Sequence, residues 1–239
     1  MRVLRATIAI LLLGLGLTAP AARAAERVDL LLVLAADVSR SVDEDKFRLQ
    51  RQGYAAAITD HRVIDAIRSG PNRRIAVEFV EWADALSQKV VVGWTVIDSP
   101  ATASALGARL LEAPRSFSGR TSISGGIDFA ADELAKAPYF AERQTIDVSG
   151  DGANNAGRDV IAARDAAVAR GIIINGLVIL SETPSLYHPE HTHPPGGLAN
   201  YYRTHVIGGP GSFVMVAKDF DSFGDAIVKK MIAEVADAR

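Results

Sequence analysis

The chain has 239 residues, 49% hydrophobic and 23% charged, which suits one compact domain with a core large enough to need no covalent staple. It contains no cysteine, which excludes disulfides, thiolate metal centres and cysteine nucleophiles. Its 26 basic and 28 acidic side chains give a net charge of −2, and no basic tract stands out, so no nucleic-acid partner is expected.

Arg2 and Arg5 precede an apolar run from Ala6 to Leu17, and small residues follow up to an Ala22-Arg23-Ala24 box. That order predicts a secretory signal over residues 1–24 and a single domain over 25–239. The apolar run is shorter than the roughly 20 residues a membrane span requires, so no span is expected after cleavage. Cleavage would remove three arginines, taking the 26 basic side chains to 23 against 28 acidic ones, net −5. A periplasmic or secreted location is the expectation, and a chain without cysteine suits such a compartment.

Val28 to Ala35 is a continuous apolar run, which predicts a strand buried on both faces and running into Asp37. Ser41 and Glu44 have the spacing of a capping box, and Phe47, Tyr54 and Ile58 then recur at helical intervals. The charges from Asp43 to Arg51 are expected on that helix's solvated face. Pro71-Asn72 breaks the chain before a strand containing Ile75, Val77 and Phe79, and Lys89 to Ile97 predicts another. The connection between these two is too short for a parallel crossover, so the second strand is predicted antiparallel.

A helix is predicted from Ser99-Pro100 to about Leu111, and another carrying Ile123, Ile127, Ala131 and Leu134. Gly125-Gly126 within the latter suggests close packing on the sheet. Gln144 to Val148 reads as a strand, Arg158 to Arg170 as a helix stopped by Gly171, and Ile172 to Leu180 as a further buried strand. Ser212 to Val216 is the last predicted strand, and Phe220, Phe223, Ile227 and Met231 mark a closing amphipathic helix. The fold class is therefore α/β, a Rossmann-like, doubly wound and mostly parallel sheet with one antiparallel edge strand and helices on both faces. Residues 181–211 hold too many prolines and glycines for a long regular element and are predicted to form an elaborated loop, with a short helix near Leu198 to Arg203.

Chemistry concentrates at the strand ends, where an open α/β sheet binds its ligands. Asp37, Ser39 and Ser41 follow the first long strand, Thr121 enters the helix at Ile123, and Asp151 follows the strand at Val148. Hydroxyl and carboxylate oxygens without sulfur or a clear nitrogen set suit a hard cation, Mg²⁺ first, with Mn²⁺ or Ca²⁺ as alternatives.

At these residues the sequence resembles the von Willebrand factor A domain family. Asp37-Val38-Ser39-Arg40-Ser41 matches its Asp-x-Ser-x-Ser signature, Gly119-Arg120-Thr121 its single threonine, and Asp151-Gly152 its second aspartate. The order and the element pattern agree from about Val28 to Ala236, and the chain looks most like a bacterial group of exported proteins with this fold. The resemblance implies a metal-ion-dependent adhesion site. In it, Ser39, Ser41 and Thr121 would offer oxygens to the metal, while Asp37 and Asp151 would act largely through bound water. It further implies a non-catalytic binding module whose protein partner supplies an acidic side chain.

Other assignments compete. Asp37-x-Ser39 followed later by Gly150-Asp151-Gly152 is also similar to haloacid-dehalogenase phosphatases, but Ser39 stands where their proton-donating acid belongs and Asn155 where their last magnesium acid belongs. A metal-free envelope scaffold is the third alternative. His188, His191 and His193 have a spacing that could bind zinc, copper or nickel, but a solvated loop is the simpler expectation. Asn154 and Asn155 are expected to be turn residues, Asp147 to make a local structural contact, and Tyr187, Tyr201 and Tyr202 either to pack this loop or to face a partner.

Overall fold

The computed structural model describes residues 25–180 and 189–236. The predicted signal segment, Tyr187 and His188 lie outside the described residues. In chain order the strands are β1 Glu26–Arg27, β2 Leu31–Asp37, β3 Ile75–Trp82, β4 Gln88–Ile97, β5 Tyr139–Phe140, β6 Gln144–Gly150, β7 Ile173–Ile179 and β8 Val214–Ala217. The helices are α1 Glu44–Thr59, α2 His61–Arg68, α3 Pro100–Glu112, α4 Ile123–Ala135, α5 Val160–Ala169, α6 Pro189–Thr192, α7 Leu198–Tyr201 and α8 Phe223–Ala236. A π-helical turn, Tyr202–Val206, continues α7.

Six strands form the central sheet in the order β4-β3-β2-β6-β7-β8, and β1 and β5 form a separate two-stranded patch. All central pairings are parallel except β3 with β4. The exception follows from the short hairpin between them, closed by Ala83 N–H to Ser87 O at 2.9 Å. β2 lies at the middle, and all seven of its residues are buried. Leu32, Leu34 and Ala36 face the core beneath α1, α3 and α8, whereas Leu31, Val33 and Ala35 face the core beneath α4 and α5. Period-two alternation thus feeds two apolar layers from one strand, and each leucine contributes about 1.5–3 kcal/mol on burial.

Several expectations change at element ends. Ser41 does not cap α1; Asp43 does, its carboxylate accepting Lys46 N–H at 2.9 Å, and Ser41 is released for the site described below. Nor are the charges of α1 uniformly solvated, because Arg51 is buried and its guanidinium donates to Glu81 at 2.6 Å and to Leu110 O at 2.7 Å. The predicted helix carrying Phe47, Tyr54 and Ile58 ends at Thr59, and a second helix not marked in the sequence follows: ψ of 130° at Asp60 turns the chain, and the Asp60 carboxylate caps α2 through Arg62 N–H at 2.8 Å. No glycine or proline marks that break. The first strand is shifted to Leu31–Asp37 because Asp29 holds Asn72 at the preceding corner, accepting its backbone and side-chain N–H at 2.8 Å.

Beneath the sheet's β6–β7 half, Lys230 of α8 is fully buried and pairs with Asp147 at 2.7 Å and Glu234 at 2.5 Å. Asn175 donates to the same Glu234 carboxylate at 2.9 Å. One ammonium shared between two carboxylates leaves Asp147 raised to about 7, burial outweighing the lysine's pull. Asp147 does make a structural contact, though with a residue distant in sequence rather than a local one, and it ties α8 to the sheet.

Candidate metal centre

β2 and β6 are neighbours whose outgoing connections diverge to opposite sides of the sheet, which opens a crevice at their carboxyl ends. Asp37 is the last residue of β2, and Asp151 follows the last residue of β6. Asp37 Oδ1 accepts Ser39 N–H at 2.7 Å, folding the Asp-x-Ser turn back on itself. Arg115 holds the same turn from outside, donating to Val38 O at 2.6 Å and Ser39 O at 3.0 Å. Gln50 donates to Asp37 O at 3.2 Å from α1.

The predicted residues converge. Thr121 Oγ1 donates to Ser39 Oγ at 3.1 Å, Ser39 Oγ meets Ser41 Oγ at 3.2 Å, and Ser41 Oγ donates to Asp151 Oδ1 at 2.5 Å. Asp37, Ser39, Thr121 and Asp151 are buried and Ser41 is half-buried. Thr121 is placed by the segment after β6: its N–H donates to Asn155 Oδ1 at 2.9 Å, and its carbonyl accepts Asn155 N–H at 2.8 Å. Asn154 Oδ1 likewise accepts Ser124 N–H at 3.1 Å at the start of α4. The two asparagines are therefore braces between the Asp151 and Thr121 loops rather than mere turn residues. Their separation from Thr121 in sequence hides that role.

Two carboxylate oxygens define the centre's electrostatics. Asp37 Oδ2 and Asp151 Oδ2 are buried and accept no hydrogen bond from the described residues. Burial first, and the Asp151 charge second, push Asp37 up to about 8. Asp151 is raised as well, by burial, although Lys46 approaches its Oδ2 at 3.8 Å. Gly150 lets the strand pass between these groups, since a Cβ there would lie 2.5 Å from the Tyr202 hydroxyl and 3.1 Å from Asp37 Oδ2. Tyr202 is fully buried and packs into the core, while half-buried Tyr201 stacks on His205 and accepts Asn154 N–H at 3.2 Å. Both tyrosines pack the loop down.

A cavity of about 650 Å³ opens above the cluster, lined by Ser41 and Thr121 together with Arg40, Arg120, Asn155 and His191 among others. Of the predicted histidine triplet, His191 reaches the site, its Nε2 3.2 Å from Thr121 Oγ1, and His193 Nδ1 contacts Thr192 Oγ1 at 3.0 Å. Among the described residues, no cluster of three or more histidine, aspartate or glutamate side chains is arranged to hold a metal. The candidate centre is instead built mainly from hydroxyls. Its donor set fits a divalent cation. Three hydroxyl oxygens lie within hydrogen-bonding distance of one another in sequence, and two orphaned carboxylate oxygens border them. Donor spacings near 3 Å match the edge between adjacent ligands about 2.1 Å from one hard cation.

Solved structures share this architecture. The chain is similar to a pilus adhesin, SpaC from Lactobacillus rhamnosus GG, in its open conformation, at 14% identity and a TM-score of 0.62 over 88% of this chain and 30% of that one. It is similar to proximal thread matrix protein 1 from the mussel byssus, determined with a zinc-occupied MIDAS motif, at 14% identity and a TM-score of 0.58 over 87% and 48%. A von Willebrand factor type A protein from Catenulispora acidiphila matches at 15% identity and a TM-score of 0.53 over 90% and 43%. The chain spans about half or less of the length of these proteins. The fold is that of von Willebrand factor A domains. No curated protein matches the chain. Residues 27–239 match the family described as Protein of unknown function (DUF1194), and the chain belongs to that family. No helix among the described residues is long and apolar enough to cross a membrane.

Proposed function

We propose that this chain is a non-catalytic binding module that holds a divalent cation at its Asp37–Asp151 crevice and binds an acidic side chain of a protein partner there. Ser39, Ser41 and Thr121 would hold the cation through their hydroxyls, with Asp37 and Asp151 supplying charge. A bound cation supplies positive charge at the floor of the cavity, to which a carboxylate oxygen can bind. The chain's own residues prepare that encounter: Arg115 and Gln50 fix the Asp37 turn, Asn155 fixes Thr121, and Arg40 and Arg120 are among the residues lining the cavity.

One observation carries this assignment. Two buried carboxylates, each with an oxygen that accepts no hydrogen bond from the described residues, face a cluster of mutually bonded hydroxyls. Such groups are costly to bury together, and a cation offsets the cost. The oxygen-rich set favours Mg²⁺, with Mn²⁺ and Ca²⁺ as alternatives. Export to the periplasm or medium is part of the same proposal and rests on the sequence of residues 1–24.

Isothermal titration of the purified chain with Mg²⁺ and Mn²⁺ tests the site. Binding by the wild type, with loss of at least tenfold in affinity in Asp37→Ala and Asp151→Ala, is the expected result. Heat absent for every cation, with folded protein in the cell, would leave only a metal-free scaffold.

A further inference from the structure

Lys46 lies in the first turn of α1, at the end of a helix where positive charge is disfavoured. Its neighbours Asp43, Glu44 and Asp45 have the sign that suits this position, and all three are exposed. The lysine turns the other way, toward the crevice. Its Nζ donates to Ser41 O at 2.9 Å and stands 3.8 Å from Asp151 Oδ2. It also lies 5.3 Å from the centre of the Phe220 ring, ahead of α8. Contacts with the Asp37 loop, the Asp151 loop and an aromatic face thus hold an ammonium whose side chain is 30% exposed.

An ammonium placed there bears on both states of the centre. Asp151 Oδ2 accepts no hydrogen bond from the described residues, so without a cation Lys46 supplies a counter-charge beside it. With a divalent cation held by Ser39, Ser41 and Thr121, the same ammonium opposes that cation. The two carboxylates of Asp37 and Asp151 would by themselves cancel its double charge. Lys46 returns one unit, so the filled centre keeps positive charge for an incoming anion.

We propose that Lys46 sets the charge of the centre, weakening its hold on the cation and strengthening the filled centre's hold on a partner's carboxylate. The proposal rests on the cation site above. For charges one side chain apart, a unit charge weakens the binding of a divalent cation about tenfold even at the dielectric of water. The charge product with a carboxylate is half as large, which gives about threefold in the opposite sense. A residue that only supported the fold would move both affinities in the same direction when replaced. Lys46 moves them in opposite directions.

The test compares the full chain with Lys46→Met, which keeps the unbranched apolar stem and loses the charge, and with Lys46→Arg, which keeps the charge. Lys46→Gln serves as a second neutral variant. Mg²⁺ is titrated calorimetrically into each protein, and sodium acetate is then titrated into each at saturating Mg²⁺. Arg40, Arg120, Glu190 and His191 also line the cavity and are common to all four proteins, so the differences report position 46. Both neutral variants should bind Mg²⁺ about tenfold more tightly than the wild type and acetate about threefold more weakly. Lys46→Arg should stay near the wild type in both. Affinities that are unchanged in the neutral variants, or that move together, overturn the proposal and leave the cation site standing, as does a Lys46→Arg that behaves like Lys46→Met. A wild type that binds no Mg²⁺ removes the cation site, and this proposal with it.

Discussion

The Ser41 hydroxyl donates to Asp151 Oδ1 over 2.5 Å, joining loops that lie 110 positions apart. This bond closes the crevice between β2 and β6, and it places a neutral oxygen beside a buried charge. Ser41→Ala should therefore act twice. Without cation it leaves a buried carboxylate short of a donor, at a cost of about 1–3 kcal/mol. With cation it removes one of the proposed ligands. Urea midpoints measured in Mg²⁺ and in EDTA should differ in the wild type and nearly coincide in Ser41→Ala. An undiminished difference in the variant would show that Ser41 does not serve the cation.

The Lys230 cluster tests how α8 is attached. Lys230→Met removes the only cation within reach of Asp147 and Glu234 among the described residues. Two buried carboxylates without a partner should cost about 3–5 kcal/mol. The triple variant Lys230→Met, Asp147→Asn, Glu234→Gln should recover much of the loss, because it removes the charges along with their counter-ion. Chemical denaturation of both proteins gives the comparison. Equal destabilisation in both would mean that packing, not charge, sets the cost.

Much of this arrangement was legible in the residues. The apolar run of β2, the short hairpin before β4 and the helical spacing of Ile123, Ile127 and Leu134 each follow from local periodicity. Gly125-Gly126 also means what it suggested, since a Cβ on Gly126 would lie 2.9 Å from Trp82 Cγ. The cluster of Asp37, Ser39, Ser41, Thr121 and Asp151 was legible because each residue sits at a strand end or helix start. The rest depended on tertiary partners. Ser41 looks like a cap until Asp151 competes for its hydroxyl, and Arg51 looks solvated until Glu81 is found beneath it. Glu81 did carry a signal, as one of two acids, with Glu78, inside a strand whose other residues are apolar. Asn155 and His191 carried little, because their partners lie 34 and 70 residues away.

A second buried acid in the same strand gives the fold a pH dependence. Glu78 is pushed up to about 7, by burial first and by the neighbouring Glu133 charge second. A carboxyl whose folded value exceeds its unfolded value favours folding while protonated. Stability from this group is complete below about 4.5 and is lost as pH rises through about 7. The effect should amount to about 1–2 kcal/mol, because the adjacent Lys136–Glu133 pair is partly solvated and weakens the field. Melting temperatures across pH 5 to pH 8 should fall less steeply in Glu78→Gln than in the wild type. The variant should be the more stable protein at pH 8. Parallel curves would exclude Glu78 as the source.

The approach of α4 to the sheet also sets the position of Thr121, which lies two residues before that helix begins. Gly126 sits directly against the fully buried Trp82, the strand residue paired with Asp37. A methyl group at position 126 must displace either the fully buried indole or the helix, and displacement within a close-packed interior is costly. Gly126→Ala should lose about 1–3 kcal/mol despite the better helix propensity of alanine, because overpacking outweighs a propensity gain of about 1 kcal/mol. Trp82→Phe supplies room for the methyl group, so the double variant should be more stable than the sum of the single changes predicts. If Gly126→Ala melts at or above the wild-type temperature, the close contact between α4 and β3 is wrong. The placement of Thr121 beside Ser39 would then lose its support.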